Sequence, residues 1–188
     1  MRLNDPLITS FDFEGKKYSI DMAFDNVLDV FDVLKDDSLL DYEKIEICLE
    51  LLIGKKINGF EAIKLWSYVF EEFIVFKRKP KVIYDLKGNP IPIKETEEEE
   101  EVLDLDQDAE YIYASFIQAY NINLLREHGK LHWHEFKALL NGLPSDTIMQ
   151  RVIEIRMWKP QKGDTVEYKE TMKNLQAEYA LERKPEAP

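Results

Sequence analysis

The chain has 188 residues, with 37 acidic and 25 basic side chains, 45% hydrophobic residues, seven glycines, eight prolines and one cysteine. That balance excludes a wholly disordered chain and fits one compact domain or two small ones. Cys48 alone excludes an internal disulfide and a cysteine-based zinc site, which points to a reducing compartment.

Charge and hydropathy narrow the partners. Met1 to Pro6 lacks the apolar core of a signal peptide, and no apolar run approaches the roughly 18 residues of a membrane span. The expectation is therefore a soluble protein of the cell interior, with no membrane partner. The net charge of −12 is concentrated: ten acids and no base lie between Glu95 and Glu110, leaving 27 acids against 25 bases elsewhere. A chain without a basic stripe is repelled by phosphate backbones, so nucleic acid is not an expected partner.

In chain order, residues 7–13 and 17–20 alternate about Glu14-Gly15-Lys16 and predict a β-hairpin. Asp21 stands where an N-cap belongs, and Phe24, Val27, Leu28, Phe31 and Leu34 recur at helical spacing, so the hairpin is expected to pack on this first helix. Asp41 opens a second helix with Ile45, Cys48, Leu49 and Leu52 on its buried face, ending before Gly54. A nucleophilic reading of Cys48 needs a nearby base and a lowered thiol pKa; core packing is the plainer reading. Asn58 caps a third helix running through Trp66, Val69, Phe70, Phe73 and Ile74 to Lys77-Arg78-Lys79 and Pro80. Its apolar positions cover more than one face, as in a central helix or one that meets a partner chain.

Residues 80–101 carry Gly88, Pro90, Pro92 and five consecutive glutamates, and read as a linker with a small hairpin of Lys81-Val82-Ile83-Tyr84 and Ile91-Pro92-Ile93. The run Asp104-x-Asp106-x-Asp108 resembles the start of a calcium loop, but Ala109 replaces the required glycine and Ser115 the final glutamate. Helical spacing returns with Ile112, Tyr113, Phe116, Ile117 and Tyr120. A short helix follows with Leu131, Trp133, Phe136, Leu139 and Leu140, ending at Asn141-Gly142. Another opens at Pro144-Ser145-Asp146 and runs through Ile148, Val152 and Trp158. A last one, from about 164 to 184, carries a narrow seam of Tyr168, Met172, Leu175 and Tyr179. The predicted fold class is mainly α: a helical bundle with a short N-terminal β-hairpin, its two helical halves (1–79 and 102–188) joined by the acidic linker.

Chemistry has few places to reside. His128, His132 and His134 fall within seven residues, and His128, His132 and Glu135 would share a helical face if the helix were continuous there, which is the basis of a metal-enzyme reading. The alternative is a helix start in which Trp133 and Phe136 pack while the imidazoles cap or face solvent. No glycine-rich phosphate loop, nucleophile elbow or HExxH motif occurs, so neither catalysis nor a cofactor is expected. Trp66, Phe70 and Phe73 on the third helix, and Tyr168, Met172, Leu175 and Tyr179 on the last, exceed what one small bundle needs and are candidate partner surfaces.

The segment Ile112-Tyr113-Ala114-Ser115-Phe116-Ile117-Gln118-Ala119-Tyr120-Asn121-Ile122-Asn123-Leu124, then Leu131-His132-Trp133-His134-Glu135-Phe136 through Leu139-Leu140-Asn141-Gly142-Leu143-Pro144, resembles the gp-fifteen family of siphophages and prophages of Gram-positive bacteria. The likeness extends to the hairpin, to Asp104–Asp108 and to Arg156. It implies a packed corner in which Trp133, Phe136 and Leu140 meet Phe116 and Tyr120, with Leu131 and His132 before it and Gly142-Leu143-Pro144 as its turn. It also implies a tail assembly chaperone in the host bacterial cytoplasm. The implied partners are the tape-measure protein, the major tail protein and further copies of the chain. A minor structural or adaptor subunit retained in the virion is the alternative.

Overall fold

In the computed structural model, residues 4–75, 83–84, 90–91 and 102–182 are described. The alternating N-terminal run pairs as predicted: β1 (Ser10–Phe13) lies antiparallel to β2 (Lys16–Ser19), with Phe11 opposite Tyr18. The two-residue turn between them holds Glu14 at φ 45° and Gly15 at φ 76°, the paired positive values that match the twist of a tight hairpin.

Three helices follow: α1 (Phe24–Lys35), α2 (Asp41–Ile53) and α3 (Gly59–Val69). Val27 and Val30 of α1, Cys48, Leu49 and Leu52 of α2, and Leu65 and Val69 of α3 are all at most 1% exposed and form a core. Asp21 is not the cap of α1. Ala23 occupies that position because residues 22–24 are drawn into a backbone bridge with 131–133: Phe24 donates to the Leu131 carbonyl at 2.9 Å and Trp133 donates to Met22 at 2.7 Å. Asp21 instead accepts from the Ala23 N–H at 3.0 Å. Leu40 likewise precedes α2, with its N–H satisfied by the Glu43 carboxylate at 2.9 Å.

The predicted third helix changes character at Phe70. Residues Phe70–Ile74 widen into a π turn, closed by Val75 donating to the Phe70 carbonyl, and this accompanies the burial of both Phe73 and Ile74. The hairpin makes ring and ion-pair contacts with α3 and this turn. Phe11 lies 5.2 Å from Phe73 and 5.7 Å from Tyr68 between ring centroids, and Lys16 pairs with Glu61 at 2.7 Å. The basic close of the predicted helix, residues 77–80, lies outside the described residues, as does the glutamate run. Of the predicted linker, β3 (Ile83–Tyr84) and β4 (Pro90–Ile91) are described as an antiparallel pair.

The remaining elements are α4 (Ala109–Tyr120), a 3₁₀ turn at Leu124–Arg126, α5 (Trp133–Asn141), α6 (Ile148–Met157) and α7 (Val166–Glu178). The fold is mainly α with a short N-terminal hairpin. Its contacts divide the chain into one unit of residues 1–79 with 125–138, and a second of residues 80–124 with 139–188. Residues 125–138, expected in the C-terminal half, thus group with the N-terminal unit, because the bridge at 22–24 and the Trp133 side chain tie them there.

Candidate functional site

The histidine segment is a helix start. Gly129, at φ 69°, turns the chain after the 3₁₀ turn, so His128 and His132 do not share a helix. His132 occupies the N-cap position of α5. Its Nδ1 accepts from the His134 N–H at 3.1 Å, while Glu135 accepts from the His132 N–H at 3.2 Å, which makes a capping box with an imidazole in place of a hydroxyl. His132 Nε2 lies 3.1 Å from the Ile8 carbonyl, which can only accept, so this nitrogen is the donor of the pair. His128 faces Phe24 edge-on at 5.6 Å, and no group of three His, Cys, Asp or Glu placed to hold a metal occurs among the described residues.

Behind this cap the aromatic motif fills the first unit. Trp133 is 1% exposed, lies 5.7 Å from Phe31 and 5.6 Å from Phe136, and donates its indole N–H to the Ile74 carbonyl at 3.4 Å. Phe136 stacks on Phe24 at 5.0 Å. Lys137 is buried with its ammonium 5.2 Å over the Trp133 ring, and burial lowers its pKa to about 8. His134 stacks on His132 at 5.2 Å; burial, then the charges of Lys137 and His132, lowers its pKa to about 4. Cys48 is fully buried 3.8 Å from the Val30 carbonyl, and burial pushes its thiol up to about 12. A thiol held protonated in this way is no nucleophile.

The expected aromatic corner draws on both units, and Phe116, Tyr120 and Leu140 belong to the second. Phe116 is fully buried and meets Tyr120 edge-on at 5.7 Å, while the Tyr120 hydroxyl donates to the Leu139 carbonyl at 2.9 Å. Tyr113 and Leu131 are half-buried in their respective units. Gly142 and Pro144 are exposed in the turn before α6, where the Pro144 carbonyl accepts from the Thr147 hydroxyl at 2.7 Å. Ser115 is a structural residue that periodicity could not single out: fully buried, it accepts from the Met149 N–H at 3.1 Å and so satisfies an open donor in the first turn of α6.

The acids that suggested a calcium loop are committed elsewhere. Asp104 accepts from the Asp106 and Gln107 N–H groups, and Asp108, 1% exposed, forms a two-pronged pair with Arg156 at 2.7 Å on both arms. Arg156 also donates to the carbonyls of Val102 at 2.9 Å and Tyr179 at 2.6 Å, tying the approach to α4 and the end of α7 to α6.

The expected partner surfaces separate into core and surface. Trp66 and Phe73 are corrected to the core of the first unit, at 9% and 7% exposure, and half-buried Phe70 lies tilted against Trp66 at 5.3 Å between ring centroids. Phe73 is covered by the hairpin ring of Phe11 and by Tyr68. The large apolar residues left exposed in the first unit include Leu40, Tyr42, Phe60, Ile63 and Leu125, with Phe60 and Ile63 on α3 itself. In the second unit α7 has no buried residue. Tyr168 is exposed and meets Trp158 edge-on, Met172 and Leu175 are half-buried, and Tyr179 meets Tyr111. No described helix is long and apolar enough to cross a membrane.

No curated protein and no solved structure matches the chain. The family model described as Bacteriophage Gp15 protein matches residues 3–181, a span that takes in the capping box, the aromatic cluster and the Asp108–Arg156 pair. With nearly its whole length matched, the chain belongs to the bacteriophage Gp15 family, whose members are phage structural or morphogenesis proteins.

Proposed function

We propose that the protein is a tail assembly chaperone that binds the tape-measure protein in the host cytoplasm and acts as several copies on one client. A tape-measure protein is long, and its amphipathic segments need cover until tube subunits polymerise around it. Helices that leave apolar side chains outside provide such cover, and many weak sites on one client gain from effective concentration. The observation that carries the reading is the set of large apolar residues exposed on a phage morphogenesis fold: Phe60 at 73%, Tyr42 at 55% and Ile63 at 45%.

Co-purification with the phage's tape-measure protein tests it. The complex should survive about 0.5 M salt, where the Debye length falls well below its physiological value of about 8 Å and contacts made by Glu97–Glu101 are screened. Mass spectrometry of finished virions should lack the protein. Absence of the complex at any salt, with the chain present in virions, would establish a retained structural subunit in its place.

A further inference from the structure

A cleft of about 170 Å³ opens on the outer side of the first unit, between Tyr42, Ile45 and Glu46 of α2 and Gly59, Ala62 and Ile63 of α3. An apolar cavity of roughly 150 Å³ accommodates benzene, so this one takes a single leucine or phenylalanine side chain. Gly59 opens its floor at the first residue of α3, and Phe60 extends the apolar surface beyond it.

Charge decides the occupant. Glu46 lines the cleft half-buried, and no described residue forms an ion pair or hydrogen bond with it. Between Phe24 and Val75 there are twelve acids and five bases, a net of −7. Of the bases, Lys44 donates to the Leu34 carbonyl, Lys56 lies 3.9 Å from Glu50, and Lys64 lies 3.6 Å from Glu14 and over the Phe60 ring. The rim therefore offers a carboxylate beside an apolar socket, within a negative field that favours cations.

The geometry points to a docking site for a basic amphipathic helix of a partner protein, with one large apolar side chain in the cleft and a lysine or arginine one turn away on Glu46. This rests on the reading of the chain as a protein-binding morphogenesis factor and deepens it by naming the surface and the chemistry of the segment it takes. A helix laid in a groove anchors through side chains at i, i+3 and i+4, the spacing that brings an apolar residue and a cation to neighbouring positions.

The probe is a fluorescein-labelled 18-residue helical peptide with leucine at the i, i+3, i+4 and i+7 positions and lysine elsewhere, titrated into the full chain and followed by anisotropy. Ile63→Asp should weaken binding about tenfold or more, the loss of one anchor side chain. This substitution adds negative charge, so general attraction between a basic peptide and an acidic protein would strengthen binding instead. Glu46→Lys should weaken it at least as much, and a peptide with glutamate for lysine should bind no more than one-tenth as tightly. Ile63 and Glu46 lie at the surface, and circular dichroism confirms the fold of each variant. Unchanged binding by Ile63→Asp overturns the proposal, as does a dimer in sedimentation that this substitution dissolves, which would give the cleft to a second copy. If Ile63→Asp still co-purifies with the tape-measure protein, the cleft fails while the chaperone reading stands; if the wild-type chain binds the peptide through the cleft but never the tape-measure protein, the reverse holds.

Discussion

Removing Trp133 should damage the first unit more than any other single truncation. The side chain is 1% exposed, touches Phe31 and Phe136, carries the Lys137 ammonium over its face and holds the Ile74 carbonyl at the end of the π turn. Trp→Ala truncations in cores cost about 3–5 kcal/mol, and this site has no slack, since the rings around it are held by stacks and the backbone by the bridge to residues 22–24. Against a typical domain stability of roughly 5–15 kcal/mol, a loss of about 4 kcal/mol leaves a marginal unit. Trp133→Phe keeps the stack and strands only the Ile74 carbonyl, so it should cost about 1–3 kcal/mol. Urea melts followed by far-ultraviolet circular dichroism rank the two, and hydrogen exchange locates the damage. The Phe24 and Trp133 amides, which donate across the bridge, should lose protection first. A cost below about 1 kcal/mol for Trp133→Ala would refute the reasoning, because a truly enclosed indole cannot be removed that cheaply.

Arg156→Met should cost about 3–5 kcal/mol by stranding the buried Asp108 carboxylate, whereas the double variant Arg156→Met with Asp108→Leu should recover much of that in the same melts. His134 is held neutral down to about pH 4, while the unfolded chain takes up its proton near 6.5. Stability is therefore present above pH 6.5 and is lost as pH falls from 6.5 to 4, by up to about 3 kcal/mol, and His134→Gln should flatten that part of the profile. Lys137 gives a second window. Between about pH 8 and 10.5 the unfolded chain holds a proton that the folded chain has released, so stability rises with pH there, and Lys137→Met should abolish the rise. Cys48 should resist iodoacetamide in the folded chain and react only when urea exposes it. A fragment of residues 1–79 should fail to give a cooperative melt, because it lacks the 131–133 partner of the bridge and the indole that packs on Phe31.

Periodicity located the helices because their buried faces are long and regular. The bounds of α4, at Ala109 and Tyr120, and the end of α5 at Asn141 follow from the spacing and the chain breakers that flank them. It missed features that depend on residues distant in sequence. Asp21 looks like a cap, but pairing with residues 131–133 moves the start of α1 to Phe24. The π turn at Phe70–Ile74 is equally invisible to a 3.6-residue repeat, since its register serves the hairpin and Trp133 rather than the helix itself.

The candidate site was legible in composition and illegible in placement. An apolar excess around the third helix can be read from Phe60, Ile63, Trp66, Val69 and Phe73, but which part is core depends on where α2 and the hairpin lie. Trp66 and Phe73 fell inside while Phe60 and Ile63 remained out, so the feature that marks a binding helix in sequence is a second apolar face, and only packing tells which face it is. The histidines make the same point through chemistry. His132 and Glu135, three residues apart, are spaced as a metal motif and as a capping box alike. The helix begins between them at Trp133, which turns Nδ1 and its lone pair onto the His134 N–H and sets Nε2 against the Ile8 carbonyl, so both ring nitrogens are engaged within the protein.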